Sequence, residues 1–475
     1  MRGSSMPGKL LVLPAGVLAV VLVAAVTLAL TRPGVPSHAH CSCVSTIRWF
    51  VGLDQGTTPD QVAAEERFVY DYNAAPGHPV IKLEIVPNGV ALDRLETEMA
   101  SGNSPDIVGP FSAGDLSHIE DLFLDLGPEA TKAKTDLADF DSSVLDLATS
   151  ADGKLSALPY SISPGVLAYN KKLFDQAGLP YPPHTVGQQY LGKEWSWDTV
   201  AAIAAKLTRD ANGKTLGQTG FNALDVVQYG LDFGYADARR MASTFAAGSV
   251  VDSEHLTATI PAAWSHAWHW YQDAMWKSGF APSERNAQTQ VLGVSVPLFY
   301  TGHVGMQTMW PWELSAMTPI ASREGMDWDV AVMPSYQGKT TSPVDVETFG
   351  IPKTSKHPAE AYAAMTQIMS DPGLRAAYGL DLPAQTSQRQ AAIASLRASL
   401  SLPAGGIDWS VMNEMATQPA IPSPDSALPD QSRSLASLAS FYEKLRTDSK
   451  LDVDAALTAL VDGFNADWWI PSATN

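Results

Sequence analysis

Beyond the first forty residues, segments with the pattern of strands alternate with segments whose apolar positions have the spacing of a helix. Residues 47–51 and 81–85 are rich in β-branched and aromatic side chains, which predicts strands. Between them, apolar positions recur every four residues after Pro59, which predicts a helix. A second helical pattern at 92–99 and a short apolar run at 105–108 follow. This order of strands and helices is typical of a parallel sheet with helices on its faces.

The middle and the end of the chain are predicted to be more helical. Apolar residues at the spacing of one helix face follow Ser196, which is predicted to cap that helix. Another helix is predicted to begin at Pro358, and two final helices at 435–445 and 453–464. The stretch from 402 to 430 contains several prolines, which predicts a loop. The whole pattern predicts the α/β class.

The N-terminus has the pattern of an export signal. Arg2 and Lys9 precede an apolar run from Leu10 to Leu30, and small residues follow near Ala39. The run is also about the ~20 residues that span a bilayer, so an uncleaved anchor is the alternative. We therefore predict a signal peptide or membrane anchor over residues 1–39, which places the remainder outside the cytoplasm.

Residues 40–45 are predicted to be a tether, and they contain both cysteines of the chain. Lipidation of Cys41 would attach the tether to a membrane, although the preceding residues match a lipidation motif poorly. The alternatives are a plain tether with an oxidised pair of Cys41 and Cys43, or adventitious metal binding with His38 and His40. Two cysteines exclude a disulfide scaffold and a cysteine-rich zinc site.

Composition and charge exclude several functional classes. The chain has 475 residues, 45% of them hydrophobic, with 31 Lys+Arg against 50 Asp+Glu and a net charge of −19. An apolar fraction of this size is typical of globular proteins rather than of disordered ones. The acidic balance provides no basic surface for nucleic acid, so we expect no nucleic-acid partner.

The sequence contains no recognisable catalytic, phosphate-binding or metal-binding motif. Gly213 and Gly338 each precede Lys-Thr, as at the end of a phosphate-binding loop, but the required earlier glycine is missing. His266 and His269 lie three apart among tryptophans, which favours packing over metal binding. We therefore predict a protein that is not an enzyme and that needs no cofactor or metal.

Aromatic residues near turns are the remaining chemical signal. The chain has 13 Trp, and several stand in Gly/Pro-rich stretches, such as Trp310-Pro311-Trp312. A tryptophan face stacks on the apolar face of a sugar ring, while nearby polar groups hold the hydroxyls. Trp264, Trp268, Trp276 and Trp328 have helix or strand spacing and are predicted to be core. For Trp310 and Trp312, core packing and ligand stacking remain open.

Several stretches, in order and spacing, resemble the extracellular solute-binding proteins of ABC transporters. The resemblance extends from about Thr46 to the C-terminus and is strongest to the sugar-binding group of the maltodextrin-binding type. It rests on residues 47–55 with 80–86, residues 102–108, residues 158–174 with 197–198, and residues 302–312 with 349–361.

The resemblance implies a type II periplasmic-binding-protein-like fold, with two α/β lobes and a ligand cleft between them. It places lobe I at 46–163 and 347–400, and lobe II at 164–346 and 401–475. The chain is expected to cross between lobes near 160–165, near 345–349 and around Leu400. Closure about these crossings would be a hinge motion.

The resemblance also implies a set of ligand-binding residues at the cleft. A maltodextrin binder has a carboxylate near Ser163 and a bulky aromatic at Gly109-Pro110, so we expect a different sugar here. The implied ligand-binding residues are Trp49, Asp54, Gln55, Phe111, Ser112, Tyr160, Ser163, Trp310, Trp312 and Glu347.

The predicted function is the capture of a carbohydrate for an ABC importer. The predicted partners are the sugar and the permease subunits, with membrane contact only through the N-terminus or a lipid, and the protein is expected to be a monomer. An exported carbohydrate hydrolase or lyase is the first alternative, because Asp54 and Glu347 would converge on the cleft. A ligand-binding receptor for a sensor system is the second.

Overall fold

The computed structural model describes residues 45–468 except 54, 115–118, 151, 235, 253–256, 284–287, 292–293, 380, 422–427 and 429–430. The predicted signal or anchor, Cys41, Cys43 and Asp54 lie outside the described residues. Within them, every helix is too short or too polar to cross a bilayer. The sheets described below belong to one compact unit that begins at Val44.

A six-stranded mixed sheet carries the N-terminal part of the fold. Its first three strands are parallel, as predicted from the alternation of strands and helices. The later strands are antiparallel and enter from distant parts of the chain. In spatial order the strands are β17 (Leu382–Pro383), β4 (Leu158–Pro164), β16 (Val344–Gly350), β3 (Ile107–Ser112), β1 (Thr46–Val51) and β2 (Val80–Ile85).

The second large sheet has five strands, and three two-stranded ribbons are also present. The ribbons are β8 (Val251–Asp252) with β9 (Thr257–Ala258), β10 (Gln288–Val291) with β11 (Val294–Pro297), and β14 (Ser335–Tyr336) with β15 (Lys339–Thr340). The five strands are β13 (Trp328–Ala331), β5 (Val166–Asn170), β12 (Val304–Met309), β7 (Val226–Asp232) and β6 (Arg209–Asp210).

Helices cover both sheets. The predicted final helices are found with longer bounds, and the proline-rich stretch predicted as a loop contains a helix at Trp409–Ala416. The described α-helices are Pro59–Ala74, Asn88–Ala100, Gly127–Ala133, Ser142–Leu147, Lys171–Ala177, Trp197–Leu207, Ala238–Ser243, Ala262–Gln272, Leu314–Arg323, Pro358–Ser370, Pro372–Tyr378, Thr386–Ser399, Trp409–Ala416, Gln431–Thr447 and Val453–Trp468.

Local sequence explains where these helices begin. Ser196 accepts a hydrogen bond from the backbone N–H of Thr199 at 3.4 Å, which confirms the predicted cap. The buried side of that helix carries the predicted apolar residues from Val200 to Leu207. Thr58 and Gln61 form a capping box ahead of the helix Pro59–Ala74, and Pro59 supplies the fixed φ of its first turn.

The chain passes from the first sheet to the second through a single residue, Gly165, which lies between β4 and β5. It returns between Thr340, the last residue of β15, and Val344, the first of β16. The stretch 345–349, near which the second crossing was predicted, pairs within the first sheet. The full lobe boundaries stay a prediction.

The cores of both sheets contain most of the large aromatic side chains. Trp264, Trp268 and Trp328 are fully buried, as predicted, and Trp276 is half-buried. The indole N–H of Trp264 donates to the carbonyl of Ala246, so burial leaves its donor satisfied.

A buried carboxyl group lies beneath the first sheet. Glu65 is 0% exposed, and it accepts a hydrogen bond at 2.9 Å from the hydroxyl of Tyr378. Burial raises the pKa of Glu65 from its ordinary value of 4.5 to about 8, in spite of that hydrogen bond. The folded protein therefore holds a proton here over a pH range in which the unfolded chain has released it.

We expect Glu65→Gln to change how stability depends on pH. Between pH 4.5 and about 8 the unfolded state loses the proton first, so the wild-type free energy of unfolding falls as pH rises. Glutamine keeps the acceptor for Tyr378 and removes the titration. The advantage of Glu65→Gln over wild type should therefore grow with pH, towards on the order of 4 kcal/mol.

Urea unfolding at pH 5, 6.5 and 8 measures this difference. Glu66→Gln is the matched control, since Glu66 is the next residue of the same helix and is exposed. A difference between Glu65→Gln and wild type that stays constant with pH would contradict the prediction.

Candidate ligand-binding cleft

A pocket lies where the two sheets meet. Ser112 and Asp345 line it from the first sheet, and Asp237, Arg239 and Arg240 line it from the loop and helix after β7. Its cavity volume is ≈ 20 Å³, which is room for about one water molecule. A larger ligand can enter only if the two sides move apart.

One arginine connects the two sides of the pocket. Arg240 donates from Nη2 to Oδ1 of Asp345 at 3.0 Å and from Nη1 to Oδ2 of Asp237 at 2.9 Å. Asp345 belongs to β16 of the first sheet, whereas Arg240 belongs to the short helix Ala238–Ser243 beside the second. This ion pair therefore bridges the lobes directly.

The protein's own hydrogen bonds and charges hold the residues of this bridge in place. Asp237 caps its helix by accepting from the backbone N–H groups of Arg239 and Arg240, at 2.8 and 3.0 Å. Burial alone would raise the pKa of Asp237, but Arg239 and Arg240 hold that pKa below its ordinary value. The charge of Asp345 raises the pKa of Arg240. Both shifts favour the ionised forms of Asp237 and Arg240.

Polar side chains occupy one face of the first sheet beside the bridge. In the strand register Glu347 lies opposite Ser112 on one side and Ser161 on the other, and Asp345 lies opposite Ser163. Residues directly opposite in an antiparallel pair project to the same face. Serine and carboxylate groups thus form a polar row across three central strands.

A half-buried acid extends this polar row. Asp381 accepts a hydrogen bond from Ser161 at 3.5 Å. Burial, reinforced by the nearby charge of Asp345, raises the pKa of Asp381 to about 6. The sheet face therefore combines hydroxyl donors with acids, and these groups are suited to hydrogen bonds with sugar hydroxyls.

Two tryptophans form a stacked pair on the second side. Trp310 and Trp312 have ring centroids 6.4 Å apart and an interplanar angle of 18°. Trp310 is 1% exposed, and its indole N–H donates to the carbonyl of Pro343 at 3.2 Å. Trp312 is 39% exposed. The pair therefore presents one aromatic surface to solvent with a buried ring behind it.

A buried carboxyl group holds the turn that carries this pair. Glu313 accepts from the backbone N–H of Trp310 at 2.9 Å and from the hydroxyl of Tyr300 at 3.0 Å. Burial raises the pKa of Glu313 to about 8, although both hydrogen bonds and Arg240 oppose the shift. Three neighbouring residues, Trp310, Trp312 and Glu313, thus form one rigid turn.

Three of the predicted ligand-binding residues are core residues. Trp49 is fully buried, donates from its indole N–H to the carbonyl of Gly109 at 2.8 Å and packs on Phe68. Phe111 is fully buried and stacks on Phe123. Tyr160 packs edge-on against Phe349 and Tyr378. The structure thus places these three side chains in the sheet packing, and their ligand-binding role stays a prediction.

The other predicted residues take different places. Ser112 lines the pocket, Glu347 lies beside it in the strand register, and Trp312 offers its ring to solvent. Ser163 is buried on the polar face, and Trp310 supports Trp312 rather than facing solvent. Gln55 lies in the loop after β1 and lines none of the described pockets.

The bridging residues Asp237, Arg240 and Asp345 were missed as site residues. Two sequence signals were available: an aspartate capping a helix that begins Ala-Arg-Arg, and acids at 345 and 347 on the same face of a strand. Neither signal shows that the two segments meet, because they are more than one hundred residues apart in sequence.

Comparisons with known proteins agree with this architecture. A sequence family described as bacterial extracellular solute-binding protein matches residues 54–373. Comparison with curated protein sequences gave no match.

Three solved structures illustrate the similarity of fold. UspC of M. tuberculosis is 19% identical, with a TM-score of 0.67 over 89% of this chain and 100% of that chain. The sugar-binding protein MalE of Xanthomonas citri is 17% identical, with a TM-score of 0.67 over 89% and 97%. The cyclic alpha-maltosyl-1,6-maltose binding protein of Arthrobacter globiformis is 21% identical, with a TM-score of 0.60 over 89% and 98%. The predicted two-lobed fold is thereby confirmed.

The different burial of two tryptophans gives a stability prediction. Trp49→Ala should lower the free energy of unfolding by about 3–5 kcal/mol, because it leaves a cavity in the first core. Trp312→Ala should lower it by less than about 1 kcal/mol, because much of that ring already faces solvent. Urea unfolding of both variants measures the difference. Equal losses would show that Trp312 is a core residue.

Proposed function

The chain belongs to the bacterial extracellular solute-binding proteins, and we propose that it binds a carbohydrate between its lobes for delivery to an ABC importer. The observation that carries the proposal is the stacked pair of Trp310 and Trp312, in which Trp310 lies 5.8 Å from Arg240, the partner of Asp345 on the polar face. An exposed indole matches the apolar face of a sugar ring, and carboxylates and serines match its hydroxyls.

Opening and closing of the cleft gives the binding mechanism. The pocket volume of ≈ 20 Å³ is too small for a sugar, so ligand entry requires a more open arrangement. Solute-binding proteins of this kind close by hinge motion. The ligand shifts the equilibrium only by binding the closed form more tightly than the open form. We propose that Trp312 and the polar sheet face supply this difference.

The family also supports the other parts of the proposal. Its members are binding proteins of the cell exterior, which supports an exported location and a role other than catalysis. We further propose that the N-terminal segment is a signal or a membrane anchor, that permease subunits receive the closed form and that the protein acts as a monomer. Hydrolysis of a bound sugar, lost in Glu347→Gln, would favour the enzyme alternative instead.

A ligand screen tests the proposed function. Thermal unfolding of the full chain would be measured with mono-, di- and oligosaccharides, polyols and amino acids. A ligand at 100 times its dissociation constant adds about 2.7 kcal/mol of stability. A shift with one sugar class supports the proposal. A shift with amino acids alone contradicts the carbohydrate assignment while keeping the family's function.

We expect Trp312→Ala to weaken binding of the sugar found in that screen by about 30-fold. Loss of an aromatic anchor typically removes about 2 kcal/mol of binding energy. Isothermal titration calorimetry measures the change. Tyr70→Ala is the control, since Tyr70 is 76% exposed on the helix Pro59–Ala74 and lines no part of the pocket. Wild-type affinity in Trp312→Ala would refute the stacking role.

A further inference from the structure

Hydrogen bonds tie together two of the connections between the sheets, the third being the crossing predicted around Leu400. The N–H of Gly165, in the first connection, donates to the carbonyl of Pro343, in the second, at 2.9 Å. The hydroxyl of Ser342 donates back to the carbonyl of Gly165 at 2.9 Å. Since any hinge motion between the sheets must bend these connections, they move as a unit.

Trp310 is seated directly against this pair of connections. Its indole N–H donates to the same carbonyl of Pro343 that accepts from Gly165. A β-carbon at position 165 would lie 3.3 Å from the indole nitrogen and 3.1 Å from the Pro343 ring. Glycine at 165 therefore makes room for the indole, and the fully buried Trp310 reaches both connections at once.

The same ring contacts the bridge between the lobes. The guanidinium carbon of Arg240 lies 5.8 Å from the centroid of Trp310, within the range of cation–π attraction. Arg240 in turn holds Asp345, two residues beyond Pro343 on the first sheet. Because this ion pair joins residues on the two sides of the pocket, a separation of the sheets would break it.

Trp310 also supports the exposed ring of Trp312. The two indoles stack, and Glu313 fixes the turn between them by accepting from the backbone of Trp310. A ligand stacked on Trp312 would therefore affect Trp310, whose other contacts are with the hinge and with the interlobe ion pair. Trp310 is thus the residue that contacts Trp312, the connections between the sheets and the interlobe ion pair.

We propose that Trp310 is a positioning residue that couples ligand contact at Trp312 to closure of the lobes. The ligand part of this inference rests on the proposed function. The hinge part does not, because the bond to Pro343 and the contact with Arg240 are made by the protein alone. Trp310 thus biases the balance of open and closed forms before ligand arrives, and the ligand adds to that bias.

The test measures the distance between the lobes in the full chain. Spin labels would be attached at Tyr70→Cys, on the helix Pro59–Ala74 that packs on the first sheet, and at Leu224→Cys, next to β7 of the second. Cys41 and Cys43 would be replaced by serine. Pulsed dipolar spectroscopy then gives the populations of short and long distances without sugar.

Trp310→Phe keeps an aromatic ring and loses the donor to Pro343. Loss of one such hydrogen bond corresponds to about a fivefold change in an equilibrium constant, so the open population should rise about fivefold. Trp328→Phe is the matched control, because Trp328 is also fully buried beside the second sheet but contacts Phe299 rather than the hinge. It should leave the distances unchanged.

Asp345→Asn provides a second route if Trp310→Phe folds poorly. It weakens the Arg240 contact from the opposite lobe and should also raise the open population. In the double variant the two effects should be less than additive, because both act on one contact set. Trp312→Ala should weaken sugar binding, as predicted above, but change the ligand-free distances by less than about twofold.

The measurement without sugar decides the inference. An increase of the open population in Trp310→Phe but not in Trp328→Phe supports it, whether or not a sugar in the screen binds. Equal distances in Trp310→Phe and Trp328→Phe overturn it. The sugar titration alone decides the proposed function, so the two ideas can fail separately.

Discussion

The hydrogen bond between Gly165 and Pro343 is the constraint on which the cleft depends. It joins two of the segments that connect the sheets, and its acceptor carbonyl also binds the indole of Trp310. The interlobe ion pair, the stacked tryptophans and the polar sheet face all lie within a few residues of this point in sequence or in space. The geometry of the cleft is therefore set by how these connections bend.

Burial shapes the electrostatics around that point. Two arginines, Arg239 and Arg240, pair with two aspartates, Asp237 and Asp345, so the charges in the pocket balance one another. The acids without such a partner behave differently: burial raises the pKa of Glu313 to about 8 and that of Asp381 to about 6. Charged side chains are thus paired where they bridge the lobes, whereas burial favours the neutral forms of Glu313 and Asp381.

Much of the fold could be predicted from the sequence. The strands β1 and β2, the helix after Ser196 and the α/β class follow from local periodicity, which depends on neighbours in the chain. The resemblance to solute-binding proteins supplied the two-lobed architecture.

The site was predicted less well. Trp49 and Trp312 both stand near turns, and only the packing of distant segments makes one a core residue and the other an exposed ring. The pairing of Arg240 with Asp345 has no local signature at all.

The strand order has a consequence for how the molecule is assembled during synthesis. The strand β16 lies between β3 and β4, although those two strands are far earlier in the chain. The N-terminal sheet therefore cannot join its two halves until β16 has been synthesised, and its sixth strand, β17, follows later still. The second sheet needs only residues up to Ala331. The sheet that begins first is thus completed after the second sheet, and its strand edges stay unpaired in the interval.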